Sequence, residues 1–230
     1  MKKIILTIVA CVVAVTAGAI VKPGIEVLRD GGFAELQGKR VGLVTNPSGI
    51  DNNLKSTVDI LNEAPGVKLV ALFGPEHGVR GNAHAGDVVG DDVDPITGVK
   101  LYSLYGKTLE PTAEMLKDID VLVYDIQDVG CRSYTFYATM GVCMQACAKY
   151  DTEFMVLDRP NPLGGNKVEG NLVEPGYFSF VSKYAIPISM ASPPANWPPT
   201  STRRASSART PRRERSANSP SSPWRGGSAK

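Results

Sequence analysis

The sequence predicts an α/β fold, a Rossmann-like three-layer domain with a mostly parallel sheet over residues 20–190. Short apolar runs, typical of buried strands, occupy residues 39–44, 67–72, 120–124 and 154–157. Helical patterns separate them at residues 54–64, 112–119 and 133–150. Because strands that alternate with helices form βαβ units, we expect the sheet to be parallel. Right-handed crossovers then place the carboxyl ends of these strands on one edge.

The turn after the second predicted strand carries three chemically active side chains. Residues 73–81 read Phe-Gly-Pro-Glu-His-Gly-Val-Arg-Gly, in which a proline and flanking glycines force a tight turn. The turn displays a carboxylic acid (Glu76), an imidazole (His77) and a guanidinium (Arg80). Such a combination at a strand end is typical of a catalytic site. The alternative is a charged loop whose histidine has an ordinary partner.

Polar residues also follow the other predicted strands. Because the strand ends share one edge, we expect these side chains to line a single crevice. The residues expected there are Asn46, Glu76, His77, Asp125, Gln127, Asp128, Asp158, Arg159 and Asn161.

The amino terminus resembles a secretory signal. Two lysines precede an apolar run over residues 4–15, and Thr16-Ala17-Gly18-Ala19 supplies the small residues that a signal peptidase reads. We therefore expect residues 1–19 to be cleaved and the protein to be exported, to the periplasm or the extracellular space. Lipid attachment at Cys11 and an uncleaved anchor are the alternatives.

The remaining three cysteines do not suggest a metal site. Cys143 and Cys147 are four residues apart on a predicted helix, beside Met140 and Met144, and such a stripe is typical of a core. Two sulfurs without a third ligand nearby hold zinc poorly. We expect neither a metal site nor a structural disulfide.

The carboxy-terminal segment differs in composition from the rest. Residues 191–230 contain seven Arg and one Lys against one Glu, and no Val, Ile, Leu, Phe or Tyr. A segment without these apolar residues cannot bury a core, so it is predicted to be disordered. An arginine-rich arm that binds nucleic acid or a membrane surface is the functional alternative. Because we expect the protein to be exported, we do not expect it to bind nucleic acid.

Six motifs in order resemble the first domain of the NamZ-type exo-β-N-acetylmuramidases, long known only as a domain of unknown function. The resemblance covers residues 21–188. The motifs are residues 38–46, 74–78, 102–107, 125–130, 157–162 and 168–170. Family members continue with His-Gly-Met/Leu-Thr-x-Gly-Glu-Leu-Ala and a second domain, whereas this chain continues differently.

The genetic code offers a reason for that departure. When the codons of the tail are read from their third base, Met190-Ala191 gives glycine, Asn196-Trp197 gives leucine and Trp197-Pro198 gives alanine. The other positions permit His-Gly-Leu-Thr-Pro-Gly-Glu-Leu-Ala, with the three forced residues in the family's places. We therefore expect a change of reading frame at about Ser189, an out-of-frame tail at 191–230 and loss of the second domain.

The resemblance implies hydrolysis of β-1,4-linked N-acetylmuramic acid from the non-reducing ends of peptidoglycan fragments, without a cofactor. Glu76 is the expected acid or base, and His77 beside it tunes or relays the proton. Arg80 or Arg159 is expected to pair with the lactyl carboxylate of muramic acid. The sugar-binding candidates are Asn46, Asp125, Gln127, Asp128, Asp158 and Asn161, together with Tyr134 and Tyr137 as stacking platforms or as ordinary packing residues.

Two other functions compete with hydrolysis. A nucleotide-binding enzyme is disfavoured, because the first strand ends in Thr45-Asn46-Pro47-Ser48-Gly49 rather than in Gly-x-Gly-x-x-Gly. A non-catalytic module that binds cell-wall sugars remains open. Release of muramic acid, compared with binding alone, separates this module from an enzyme.

Overall fold

The computed structural model describes residues 21–81 and 92–189, together with the backbone of residues 202–205. Strands and helices alternate along the chain, as the sequence predicts. The strands are β1 (Arg40–Thr45), β2 (Lys68–Gly74), β3 (Asp92–Val93), β4 (Lys100–Ser103), β5 (Val121–Asp125), β6 (Glu153–Leu157) and β7 (Thr202–Ala205). The helices are α1 (Gly24–Asp30), α2 (Thr57–Glu63), α3 (Ala113–Leu116) and α4 (Phe136–Lys149), with a 3₁₀ turn at Ala34–Leu36.

The strands form one mixed sheet in the order β3-β4-β2-β1-β5-β6-β7. Every described pairing is parallel except that of β3 with β4. Numbered along the chain without β3, the parallel strands lie in the order 3-2-1-4-5-6, which is the doubly wound Rossmann order. The predicted parallel sheet is therefore confirmed. The strand order reverses between β1 and β5, where such sheets bind their ligands.

Two apolar clusters cover the two faces of the sheet and make the domain three-layered. One cluster includes Ile25 of α1 and Leu61 of α2. The other includes Met140, Cys143 and Cys147 of α4. Strand β1 is buried along nearly its whole length, as expected for a central strand covered on both faces. The two α4 cysteines thus belong to the core, and burial raises the pKa of Cys147 to about 12.

Helices α2 and α3 begin at residues whose side chains cap them. Ser56 accepts a hydrogen bond from the backbone N–H of Val58 at the start of α2. Thr112 does the same for Met115 at the start of α3. Helix α4 begins at Phe136, three residues later than predicted, because the residues before it form a turn closed by Tyr134 N–H and the Cys131 carbonyl.

Three short elements were missed. Strands β3 and β4 have two and four residues, and helix α1 has seven. Periodicity carries little information over such lengths. Strand β4 is recognisable mainly from its pairing with β2, in which Phe73 opposes Tyr102 and Gly74 opposes Ser103.

Four residues of the tail, which was predicted to be disordered, form a strand. Residues Thr202–Ala205 form β7, which pairs in parallel with β6. The open edge of β6 presents unpaired backbone groups, which can pair with a segment of almost any sequence. The rest of residues 191–230 and the predicted signal peptide at 1–19 lie outside the described residues. In the described part of the chain, no helix combines the length and apolarity needed to cross a bilayer.

Candidate functional site

The carboxyl edge of the sheet gathers the predicted residues. The hydroxyl of Thr45, at the end of β1, donates to the backbone carbonyl of Asp125 at 2.7 Å. The backbone N–H of Gln127 donates to the hydroxyl of Ser48 at 2.9 Å. These contacts join the loops after β1 and β5 at the point where the strand order reverses. The predicted convergence is therefore present for the loops after β1 and β5.

The turn after β2 holds Glu76 and His77 in an unusual conformation. The backbone N–H of Gly78 donates to the Pro75 carbonyl at 2.9 Å and closes the turn. His77 has φ of 72°, in the left-handed region that favours glycine. Glu76 is half-buried and His77 is exposed. Backbone strain of this kind is concentrated at functional sites, and here it falls on a residue predicted to be catalytic.

A buried ion pair links the ends of β5 and β6. Arg159 donates to Asp125 through Nε at 2.6 Å and through Nη2 at 3.0 Å. Nη2 also donates to the Ile50 carbonyl at 2.8 Å, and the Thr57 hydroxyl donates to Asp125 at 2.5 Å. Asp125 is fully buried, and Arg159 is 9% exposed. The pair therefore fixes the positions of several loops, and its buried carboxylate does not face solvent.

A second ion pair holds the other candidate arginine. Arg80 donates to Asp94 at 2.6 and 3.0 Å and to Asp59 at 2.8 Å. Its hydrogen bonds to Asp94 and then to Asp59 raise the pKa of Arg80 above its ordinary value. The same hydrogen bond from Arg80 lowers the pKa of Asp94 to about 2. With these partners both candidate arginines are engaged in structural contacts, so the predicted binding of a lactyl carboxylate stays a prediction.

The loop after β5 is packed tightly against the loop after β6. The side-chain amide of Gln127 donates to the carbonyls of Asp128 at 2.7 Å and Pro160 at 2.9 Å. Gly130, with φ of 75°, lies so close to Asn161 that a Cβ there would approach its side-chain oxygen to 2.4 Å. Only glycine fits between these loops.

Asp128 is a buried carboxylic acid within this loop. One of its oxygens accepts from the backbone N–H of Gly130 at 2.7 Å. The other has no hydrogen-bond partner among the described residues. Burial raises the pKa of Asp128, although the backbone hydrogen bonds oppose the shift. Its contacts to backbone N–H groups are those of a loop-stabilising residue.

The remaining candidates differ in how accessible they are. Asn46 is buried and accepts from the Ser48 backbone N–H at 3.0 Å, which shapes the turn after β1. Asp158 and Asn161 are half-buried. Tyr134 is 54% exposed and available to a ligand, whereas Tyr137 is 1% exposed and donates to the Val181 carbonyl at 2.8 Å. Of the two tyrosines, Tyr137 is thus an ordinary packing residue.

Several residues of the site were missed. Asp59 and Asp94 hold Arg80, and Thr57 donates to the Asp125 carboxylate that holds Arg159. None of the three follows a predicted strand. Proximity to the side chain of Glu76 raises the pKa of Tyr105, in the loop after β4. If residues 100–103 had been predicted as a strand, Tyr105 would have been predicted at a strand end. Among the described residues, no group of three His, Cys, Asp or Glu side chains is placed to hold a metal ion.

Comparison with known sequences decides the family. The family described as exo-β-N-acetylmuramidase NamZ, N-terminal, matches residues 41–192. The chain belongs to this NamZ family. It is 58% identical over 168 residues to the peptidoglycan β-N-acetylmuramidase NamZ of Bacillus subtilis, an alignment covering 73% of this chain and 41% of the relative.

Solved structures show the same fold. A DUF1343 family protein from Bacteroides fragilis superposes with a TM-score of 0.74 and 56% identity, over 80% of this chain and 49% of that chain. A second DUF1343 protein from the same organism gives a TM-score of 0.65 and 38% identity, over 76% and 45%. The chain thus spans less than half the length of these NamZ-family relatives.

Proposed function

We propose that the chain acts on peptidoglycan-derived glycans as an exo-β-N-acetylmuramidase, releasing N-acetylmuramic acid from their non-reducing ends. The supporting observation is the 58% identity over 168 residues to a peptidoglycan β-N-acetylmuramidase. The family match at residues 41–192 contains the carboxyl-edge residues. The chemistry of that edge agrees, because glycoside hydrolysis needs a carboxyl group beside the scissile bond. Glu76 is half-buried and lies in the strained turn, where a sugar can reach it.

In this proposal Glu76 exchanges a proton with the reacting oxygen. His77, the next residue and exposed, tunes or relays that proton. The exposed Tyr134 offers a ring face to a sugar, and the half-buried Asp158 and Asn161 offer polar groups to its hydroxyls. Asp125 and Arg159 contribute indirectly, because their buried ion pair holds the loops that carry these groups.

A sugar-binding module without turnover is the second candidate. The chain spans 41% of the Bacillus subtilis relative, so that protein has further residues that can add walls to a substrate crevice. A crevice with fewer walls orients the substrate less well and excludes less water, and both effects contribute strongly to enzymatic rates. Binding without release of muramic acid is the result that this candidate predicts.

The experiment compares Glu76→Gln with the wild-type chain on a chromogenic N-acetylmuramide and on a muramic-acid-terminated disaccharide. The substitution keeps the size of the side chain and removes the transferable proton, so release of muramic acid should fall by roughly two orders of magnitude or more. Glu114→Gln is the matched control, since Glu114 is exposed and pairs with Lys117 on α3. Equal rates for the wild type and Glu76→Gln would remove Glu76 from the mechanism.

We also propose that the protein is exported, as its amino-terminal sequence indicates. Peptidoglycan is an extracytoplasmic polymer, so export places the protein beside its proposed substrate. Amino-terminal sequencing of the mature protein tests this directly. A new terminus at Ile20 supports cleavage, and a mature chain that starts at Met1 contradicts it.

A further inference from the structure

The turn after β1 is in contact with two other loops of the carboxyl edge. The backbone N–H of Gln127, in the loop after β5, donates to the Ser48 hydroxyl at 2.9 Å. At the end of the turn after β2, a Cβ at Gly81 would lie 2.7 Å from Cγ of Pro47. Asn46, the residue before Pro47, thus lies where the loops after β1, β2 and β5 meet.

The orientation of the Asn46 side-chain amide is determined by its partners. The Ser48 backbone N–H donates to Oδ1 of Asn46 at 3.0 Å, and the Ser48 hydroxyl donates to the same atom at 2.5 Å. A backbone N–H can only donate, so the atom that it meets is the oxygen of the amide. The hydroxyl oxygen of Ser48 accepts from Gln127, which leaves its proton for Asn46. The Nδ2 group of Asn46 must therefore point away from Ser48.

Nδ2 of Asn46 is a donor that the described part of the fold does not use. It makes no hydrogen bond to a described residue, whereas Oδ1 accepts two. Asn46 is 8% exposed, and Nδ2 is not one of the unpaired side-chain atoms that the described residues seal from solvent. A mostly buried amide is costly unless solvent or a ligand pairs with its N–H groups. The side chain is thus held in one orientation, with its donor open to a ligand.

We propose that Asn46 is a specificity-determining residue whose Nδ2 donates to the carbonyl oxygen of the 2-acetamido group on the muramic acid ring. This inference rests on the proposed function and deepens it. A neutral donor favours a neutral acceptor, and the two candidate arginines of this edge are already paired with carboxylates. On the muramic acid ring the acetamido oxygen is a neutral carbonyl acceptor, whereas a hydroxyl at that position is a weaker acceptor and also a donor.

The first measurement needs neither turnover nor a variant. The side-chain amide resonance of Asn46 is followed in the ¹⁵N-labelled chain during titration with N-acetylmuramic acid and, separately, with the 3-O-lactyl ether of glucose. The second sugar keeps the lactyl carboxylate and has a hydroxyl in place of the acetamido group. The Asn46 amide protons should shift downfield with the first sugar and move little with the second. No shift at saturating N-acetylmuramic acid, or equal shifts with both sugars, overturns the proposal.

The second measurement compares the dissociation constants of the two sugars for the wild type and Asn46→Asp. Aspartate keeps the oxygen that accepts from Ser48 and replaces the Nδ2 donor with an acceptor. The wild type should bind N-acetylmuramic acid roughly 10-fold more tightly than the lactyl glucose, and Asn46→Asp should remove that preference. Repulsion between the new carboxylate and the lactyl carboxylate acts on both sugars and cancels in the ratio. Asn53→Asp is the matched control, since it makes the same change on an exposed side chain and should keep the preference.

The outcomes separate this proposal from failure of the proposed function. A wild type that prefers N-acetylmuramic acid but releases none from the chromogenic N-acetylmuramide contradicts the hydrolase and supports the role of Asn46. An active wild type whose preference survives in Asn46→Asp overturns that role and leaves the function standing. Equal weakening of both sugars in Asn46→Asp also overturns the role, because a general defect of the loop gives that result, and so does a wild type without the preference.

Discussion

His77 is the one candidate site residue with a positive φ, at 72°. Its neighbour Gly78, with φ of 73°, occupies the same region without cost, so the strain of the turn falls on the histidine. A glycine at position 77 would relieve that strain and remove the imidazole. We therefore predict that the imidazole has a role in the site, which a substitution by glycine can test.

This account predicts opposite effects of His77→Gly on stability and on activity. Relief of the left-handed conformation should raise the free energy of unfolding by up to about 1 kcal/mol, measured by urea denaturation. Release of muramic acid, or muramide binding if there is no turnover, should weaken because the imidazole is lost.

The chain contains a matched control for His77→Gly. Leu54 also has a positive φ, of 64°, and is 77% exposed in a turn that carries no candidate site residue. Leu54→Gly should stabilise the protein to a similar extent and leave muramide binding and turnover unchanged. Equal effects of both substitutions on stability and on function would show that His77 has no special role.

At the scale of elements, the two arginine clusters hold the loops of the carboxyl edge. Arg159 joins the ends of β5 and β6 through Asp125, and Arg80 joins the turn after β2 to α2 and to the β3–β4 segment. Removing one partner of the buried Asp125–Arg159 pair leaves an uncompensated charge, which costs roughly 3–5 kcal/mol. The geometry of the site thus depends on ion pairs that are not themselves predicted to touch substrate.

The Arg80 cluster makes a specific contribution to stability at acid pH. Asp94 has a pKa of about 2 in the folded protein, because Arg80 hydrogen-bonds to its ionised form, against 3.8 ordinarily. The folded state therefore binds fewer protons than the unfolded chain between these values. The resulting stabilisation, about 2 kcal/mol, should be complete above about pH 4 and lost as the pH falls to about 2.

Urea unfolding of Asp94→Asn and the wild type at several pH values measures this contribution. The variant should be the less stable at pH 7, and the difference should shrink as the pH falls from 4 to 2. Asp118→Asn is the control, because Asp118 is 71% exposed in its contact with Arg40. A difference between Asp94→Asn and the wild type that is constant with pH would contradict the pairing.

The sequence predicted which polar residues follow the strands, but it did not predict which residues form ion pairs with the candidate arginines. Asn46, Glu76 and Asp125 follow long apolar runs, so the topology of a parallel sheet was enough to bring them together. Asp59 and Asp94 lie on a helix and beside a two-residue strand. Their contact with Arg80 depends on how α2 and β3 pack, and neither periodicity nor turn chemistry carries that information.

At the scale of the whole molecule, the sheet order 3-2-1-4-5-6 explains the position of the site. The strand order reverses between β1 and β5, where doubly wound sheets bind their ligands, and Asn46, Gln127 and Asp128 lie at this reversal. Large apolar side chains are exposed along the segment that follows β6, which is typical of an interaction surface. They are Leu163, Val168, Leu172, Tyr177, Phe178, Val181 and Ile188.

The structure also has a cleft that lies apart from the candidate site residues of the carboxyl edge. It has a volume of about 290 Å³ and is lined by residues of β2, β4 and the α3 region, among them Val70, Lys100 and Lys117. None of the candidate site residues lines it. A ligand bound in this cleft would therefore not contact the candidate site residues.

The central claim is that the carboxyl edge of the sheet is the muramide-binding site, and amide chemical-shift mapping tests it most directly. N-acetylmuramic acid is titrated into the ¹⁵N-labelled chain, with N-acetylglucosamine as the comparison sugar. The account predicts that shifts concentrate in the loops after β1, β2, β4, β5 and β6, including the amides of Glu76, Tyr105 and Gln127. Shifts confined to the cleft around Val70, Lys100 and Lys117, or no shifts at saturating sugar, would contradict it.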